Sequence, residues 1–278
     1  MTRHRSLVLT SVASAVLVLT ACTGGNIDDF PAVHAIVDAE TGSIALPLDA
    51  YVATDREGYL IEHANALMVD DCMEKSGYDF PRADDAWDTK FIPAERRYGL
   101  WSATEAAASG YDIPTDSTSA EISRLEETYP TRWWDTVWAC IDSIDQIPMS
   151  VANSSEHQTV VDIGIAEARG HAQKSDAWVE ATNEWADCLS DRGIPTSSDD
   201  QYSPTLPEDD AAAQKRYAVA DVACKTQVDY VQRLGDVEAK YQAIYIDDHE
   251  EELEDFRVTI DGNLTRAQSI IDAPTPTG

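Results

Sequence analysis

The sequence predicts a mostly α-helical fold, in which an irregular, aromatic-rich segment precedes a long antiparallel helical hairpin and two disulfides link the helices. Three observations lead to this prediction. Apolar residues recur at the spacing of a helix face over most of the chain. No segment alternates strongly between apolar and polar residues, as a half-buried strand would. Residues typical of helix N-termini stand before several of the apolar runs.

The first folded half is expected at residues 46–150. After an extended entry segment, Thr54 and Glu57 fit a capping box, in which the threonine caps the helix and the glutamate reaches back to it. The helix that follows is expected to end at Gly77. Residues 78–117 are rich in aromatic residues, proline and glycine without a clear period, so irregular structure with short helical turns is expected there.

The second half, residues 151–272, is expected to consist of two long helices. One is predicted over 154–189, and the other runs from about Glu208 to Ile271 after a loop rich in proline and serine. A helical pattern this long without clear stops is typical of a coiled-coil-like hairpin, so the two are predicted to pack together. The two halves are compatible with a single domain, and a disordered tail is expected at residues 273–278.

The cysteines indicate an oxidising compartment. Besides Cys22 there are four, an even number, which in an exported chain predicts two disulfides. Of the three possible pairings, Cys72–Cys140 and Cys188–Cys224 are favoured, because Cys72 and Cys188 share their context: aspartate before, an apolar residue after and glycine five residues on. A zinc site is the alternative, but the close-set ligand pairs that it needs are missing, so no metal ligand is assigned.

The N-terminus has the layout of a lipoprotein export signal. Arg3 and Arg5 precede 15 uncharged, mostly apolar residues, fewer than the roughly 20 that cross a bilayer core. Small residues then precede Cys22, as in a lipobox, where diacylglycerol is attached before cleavage. We expect a signal peptide at residues 1–21, a lipid anchor on Cys22 at the extracytoplasmic face of the cell membrane, and a flexible tether over 22–45. An ordinary signal peptide or a retained anchor is the alternative.

The charge restricts the partners. The chain has 51 acidic and 20 basic residues, a net charge of −31. Such a surface repels phosphate backbones, so nucleic acid binding is excluded. It favours a cationic peptide or a basic envelope protein as partner, alongside the bilayer that holds the lipidated cysteine. The simpler interpretation is a well-solvated surface that keeps a tethered protein soluble.

Candidate site residues come from the first half. Metalloprotease, nucleotide-binding and serine-hydrolase motifs are missing, so no catalytic residue and no cofactor are assigned. Aromatic rings beside carboxylates can bind sugars or peptides, and arginines can bind an anion. The alternatives are core packing for the aromatic residues and internal ion pairs for the arginines. The candidate ligand-binding residues are Trp87, Arg96, Arg97, Tyr98 and Trp101.

Several segments resemble a family of uncharacterised surface lipoproteins from actinobacteria. They are Leu46–Tyr51, Asp71–Tyr78, Arg96–Leu100 and Ala223–Lys225, together with the long terminal helix. The resemblance covers most of the chain and implies an envelope lipoprotein, without an activity or site residues. Three functions are therefore hypotheses: a non-catalytic binding protein of the cell envelope, an accessory or sensing subunit of a membrane transporter or kinase, and a cell-wall hydrolase that uses carboxylates.

Overall fold

The fold is mostly helical, as predicted. The structure, a computed structural model, describes residues 32–84, 87, 90–114, 117–148, 158–197 and 202–273, together with Ile27 and Phe30. The elements in these ranges are β1 (Ile36–Asp38), β2 (Ser43–Ala45), α1 (Asp55–Lys75), α2 (Ala103–Ser109), α3 (Ser117–Glu126), α4 (Thr131–Ser143), α5 (Val160–Ala172), α6 (Asp176–Ser190), α7 (Ala211–Gln227) and α8 (Tyr230–Ile271). Across the described ranges, no helix combines the length and apolar character needed to traverse a bilayer.

Helix α1 begins and ends where the sequence predicts. The Thr54 hydroxyl accepts a hydrogen bond from the Glu57 N–H at 3.3 Å, and the Glu57 carboxylate accepts one from the Thr54 N–H at 2.8 Å. After the last turn, Gly77 has a φ of 78°, which glycine adopts without steric cost. The Tyr78 N–H then bonds to the Met73 carbonyl and closes the helix end.

Each of the two long helices predicted in the second half is divided by a short turn. The segment predicted at 154–189 as one helix contains both α5 and α6. A new helix begins after Ser175, because the Ser175 hydroxyl accepts a hydrogen bond from the α6 backbone and caps it. Residues 154–157 lie outside the described residues. Helices α7 and α8 meet at Asp229, which has a left-handed φ of 54°. The second long helix was expected from about Glu208, and α7 begins at Ala211, where the Asp210 carboxylate accepts a hydrogen bond from the Ala213 N–H.

Helix α8 runs antiparallel to α5 and α6 and completes the hairpin. At the start of α5, the Val160 carbonyl accepts a hydrogen bond from the Tyr245 hydroxyl at 2.8 Å. Later in α5, Arg169 pairs with Glu238, which lies earlier in α8. The ring of Tyr230, at the beginning of α8, packs on a tryptophan of α6. Residues that come later in α5 and α6 contact residues that come earlier in α8, so α8 runs antiparallel to both.

The two halves of the chain share helix α8. Its last turns bury Ala267 against Ile61 and Ala64 of α1, with Leu264 packed beside them. The helix departs from helical geometry at His249, where φ is −131° and ψ is 22°. The part beyond this kink carries the contacts with α1, so one long element positions both halves.

Both predicted disulfides, Cys72–Cys140 and Cys188–Cys224, are present. Cys72 lies near the end of α1 and Cys188 near the end of α6. In each case the glycine five residues on has a left-handed φ, 78° in the first and 71° in the second. Each bridge thus joins the last turns of one helix to a later helix, α4 or α7.

Part of the segment that was expected to be a tether is folded onto the helices. Within the range 22–45, Ala35 donates its N–H to Asp236 at 3.0 Å and accepts a hydrogen bond from Gln232 at 2.9 Å. A Cβ atom on Gly235 would lie 2.6 Å from the Ala35 Cβ. The missing side chain at Gly235 therefore lets the β1–β2 hairpin approach α8.

Candidate functional site

The structure separates the five candidate ligand-binding residues. Four of them, from Arg96 to Trp101, belong to one loop that enters the core beside α7 and α8. Trp87 packs on α1 instead, in a cluster with Val69 and Met73. Cys22 lies outside the described residues.

Tyr98 is a core residue. Its side chain is fully buried, and its hydroxyl donates to the Glu238 carboxylate at 3.0 Å. That carboxylate also pairs with the Arg169 Nε at 2.6 Å. Burial, and after it the negative charge of Glu238, raises the pKa of Tyr98 well above that of a free tyrosine. The ring therefore contributes to packing, in agreement with the alternative left open for the aromatic residues.

The two arginines of this loop make internal ion pairs. Arg97 donates to both oxygens of Asp49, at 2.9 and 3.1 Å, and to Glu95 at 2.5 Å. Arg96 donates to Glu105 at 3.2 Å and also to two backbone carbonyls. Burial raises the pKa of Glu95 even though Arg97 opposes this. The arginines hold the loop in place through these bonds to carboxylates and carbonyls of the chain itself.

A second buried ion pair was not predicted from the sequence. Lys225 and Asp221, four residues apart in α7, are both almost fully buried, with 3.3 Å between Nζ and Oδ2. Lys225 also donates to the carbonyls of Leu100 and Tyr202, and the Trp185 indole donates to Asp221. The signal in the sequence was an aspartate and a lysine at helical spacing on an otherwise apolar face. These groups bond to one another in the core.

The candidate site is a groove between the end of α1, the segment after α4 and the end of α8. It has a volume of about 580 Å³. One side is apolar and the rim is acidic, with four carboxylates and one guanidinium. The lining residues are Leu67, Met68, Asp70, Asp71, Glu74, Ile144, Asp145, Arg266, Ile270, Ile271 and Ala273.

The walls of the groove are held by contacts on each side. The Asn65 amide of α1 both donates to the Ile147 carbonyl and accepts from its N–H, each at 2.9 Å. These two bonds fix the segment after α4 against α1. Arg266 joins the same segment to α8 through Asp145, with 3.0 Å between Nη2 and Oδ2. The Cys72–Cys140 disulfide links α1 and α4 beside the groove, so the cavity is formed before any ligand arrives.

Carboxylates outnumber cationic groups four to one among the residues that line the groove. Arg266 pairs with Asp145, whose side chain is 91% exposed. Lys75 pairs with Asp71 through a contact at the surface, which contributes little to stability. Glu74 is exposed on the next turn of α1. The rim therefore keeps an excess of negative charge over apolar walls, which suits a ligand with a cationic group and an apolar body.

Among the residues that the structure describes, no group of three or more His, Cys, Asp or Glu side chains is placed to hold a metal ion. Comparisons of the chain with protein-family models, with curated proteins and with solved structures give no match.

Proposed function

We propose that this protein is a lipid-anchored binding protein of the cell envelope that holds a cationic, amphipathic peptide segment in the groove between α1 and α8. The segment is a free peptide or an exposed part of a basic envelope protein. The observation that carries the proposal is the acidic rim set over an apolar wall in a cavity of about 580 Å³. Apolar side chains of the ligand would be buried in the cavity, and its cations would lie at the rim.

The proposed location rests on the sequence. The charged N-terminus, the short apolar stretch and the small residues before Cys22 favour lipid attachment at the extracytoplasmic face. The two disulfides support an oxidising compartment. The resemblance to surface lipoproteins points the same way.

The other two hypotheses receive less support. A hydrolase would draw on carboxylates of the aromatic first half, but Glu95 and Glu105 of that segment are paired with arginines. An accessory or sensing subunit would use the same groove, with a basic segment of its membrane partner as the ligand. It is therefore a special case of the proposal.

Titration calorimetry with defined peptides tests the proposal. The purified chain is titrated with an amphipathic peptide of leucine and lysine, and with a matched peptide in which glutamate replaces lysine. We expect the lysine peptide to bind and the glutamate peptide not to bind. Removing two rim charges, with Asp71→Asn and Glu74→Gln, should weaken binding about five- to tenfold, as expected for two partly exposed charge pairs.

The matched control removes two exposed carboxylates from α8 outside the groove, with Glu251→Gln and Asp255→Asn. The net charge changes by the same amount, so a site at the groove predicts little loss of affinity in this variant. Equal weakening in both variants would assign the binding to overall charge. Absence of lysine-peptide binding would refute the proposed function.

A further inference from the structure

An aromatic cage lies beside the first turns of α1, and the chain's own lysine occupies it. The Trp87 ring stacks on His63, with 5.8 Å between centroids and 13° between planes, and Tyr59 is tilted against it at 6.5 Å. The Lys90 Nζ lies 3.8 Å from the centroid of Trp87 and 5.3 Å from that of Tyr59. Both distances are within the range of cation–π attraction.

The cage is held by groups other than the lysine ammonium. The Trp87 indole donates to the Arg82 carbonyl at 3.0 Å. The Arg56 guanidinium, in the first turn of α1, donates to the carbonyls of Trp87 and Lys90, both at 3.2 Å. Trp87 is only 7% exposed. Since these bonds hold Trp87 and the Lys90 carbonyl without using the ammonium, the rings should keep their places when the ammonium leaves.

A cavity of about 210 Å³ adjoins the rings and gives a ligand room to enter. It is lined by Arg56, Glu57, Tyr59, Leu60, His63 and Trp87. The two charged residues that line this cavity, Arg56 and Glu57, have opposite sign, and each has partners of its own. Glu57 caps α1, and Arg56 donates to the Trp87 carbonyl. The π faces are therefore the feature of the cavity that selects a ligand.

We infer that Tyr59, His63 and Trp87 form a binding site for an alkylammonium group, which Lys90 occupies in the free protein. The Lys90 ammonium lies against the faces of Trp87 and Tyr59, and His63 stacks on Trp87. Aromatic faces around a cation are the arrangement by which proteins recognise quaternary ammonium ions and methylated lysines. Lys90 acts as an internal competitor: an incoming cation binds only in the fraction of molecules whose cage is open. This inference concerns a cavity separate from the groove and does not depend on the proposed function.

The probe for this site is choline, compared with its uncharged analogue in which carbon replaces nitrogen. The two have the same shape, so only a cation-selective site separates them. Affinities for the whole chain and for the Lys90→Ala variant are measured by NMR titration. Removal of the Lys90 ammonium should tighten choline binding by about three- to thirtyfold. This range corresponds to a cation–π interaction energy of roughly 0.5–2 kcal/mol between the lysine and the rings.

Two further variants separate a cage from a merely structural cluster. In the Lys90→Ala background, Trp87→Ala should abolish choline binding, and Tyr59→Leu, which keeps apolar bulk but removes the ring, should weaken it several-fold. Trp138→Ala is the matched control, because Trp138 is 59% exposed on α4 and its loss should leave the affinity unchanged. Circular dichroism establishes that each variant is folded.

Several outcomes would overturn the inference. If the folded Lys90→Ala variant has no affinity for choline, the contact of Lys90 with the rings has only a structural role. Equal binding of choline and the uncharged analogue would make the cavity an apolar pocket without selectivity for cations. Binding that survives Tyr59→Leu unchanged, or that is lost with Trp138→Ala, would place the cation elsewhere.

Discussion

At the scale of single residues, the loop that carries Tyr98 depends on one glycine. Gly99 has a φ of 77°, a left-handed conformation that favours glycine. A Cβ atom there would lie 2.3 Å from the Tyr202 carbonyl oxygen and 2.8 Å from the Lys225 Nζ. Backbone conformation and space thus both require glycine where the loop meets the buried ion pair of α7.

We expect Gly99→Ala to lower the free energy of unfolding by at least about 2 kcal/mol, because it adds backbone strain and a clash with a carbonyl that accepts from Lys225. The matched control is Gly262→Ala in α8, where a Cβ would meet no atom within 4 Å. That change should raise stability by up to about 1 kcal/mol through helix propensity. Urea unfolding of both variants measures the difference, and similar effects at the two sites would contradict this account of Gly99.

Contacts between neighbouring residues could be predicted from the sequence, and contacts between distant residues could not. The capping box at Thr54 is local, since both partners lie within one helical turn, and its prediction was confirmed. The environment of Tyr98 and Arg97 is not local, because their carboxylate partners lie 140 and 48 residues away in the chain. A cluster of arginine and aromatic residues looks the same in sequence whether it faces a ligand or a buried carboxylate.

At the scale of elements, the two disulfides have the same stabilising role but different positions relative to the groove. They close loops of 68 and 36 residues, and the chain-entropy model gives each about 4 kcal/mol. Only Cys72–Cys140 joins α1 to α4, the helix whose C-terminal extension carries Ile144 and Asp145 of the groove.

This difference predicts a divergence between stability and binding. The double variants Cys72→Ser/Cys140→Ser and Cys188→Ser/Cys224→Ser should both lose about 4 kcal/mol of unfolding free energy. The first should also bind the lysine peptide several-fold more weakly, because the wall after α4 is held less firmly; the second should keep its affinity. Denaturant unfolding and calorimetry on the same samples test this. Equal affinities of the two double variants would show that the Cys72–Cys140 disulfide does not shape the groove.

The helices were predictable where pattern and caps agree, and their divisions were not. The break between α5 and α6 follows from a serine cap at Ser175 inside a continuous apolar pattern. The break before α8 places Asp229 in a left-handed conformation without the glycine that usually marks such a turn. Neither a serine inside a continuous apolar pattern nor an aspartate in a left-handed conformation is a strong stop signal in sequence, so both divisions were missed.

Helix α1 connects the two candidate sites. Arg56, Leu60 and His63 at the cage and Leu67 and Glu74 at the groove follow the spacing of one helix face. Their centres are about ten residues apart, or about 15 Å along the helix axis. An extended peptide covers that distance with about five residues, so the two cavities could be reached by one ligand with two suitably spaced cationic side chains.

At the scale of the whole molecule, an acidic body and a proposed lipid anchor act in opposite directions. A net charge of −31 gives repulsion from anionic lipid headgroups, so the folded part should have no affinity of its own for the bilayer. Membrane attachment would then depend on the acyl chains alone, and two or more chains are needed for stable anchoring. The groove would stay free for a cationic partner because the body is held off the surface.

We therefore expect cells that make this protein to incorporate labelled fatty acid into it, and the label to be lost completely in the Cys22→Ala variant. A second form, in which a cleavable signal without a lipobox replaces residues 1–22, should be exported and recovered in the soluble fraction, since the acidic body is repelled by anionic lipid. Gel fluorography and membrane fractionation measure the two outcomes. Label that persists in Cys22→Ala, or a soluble-signal form that stays on membranes, would show that another part of the chain makes the attachment.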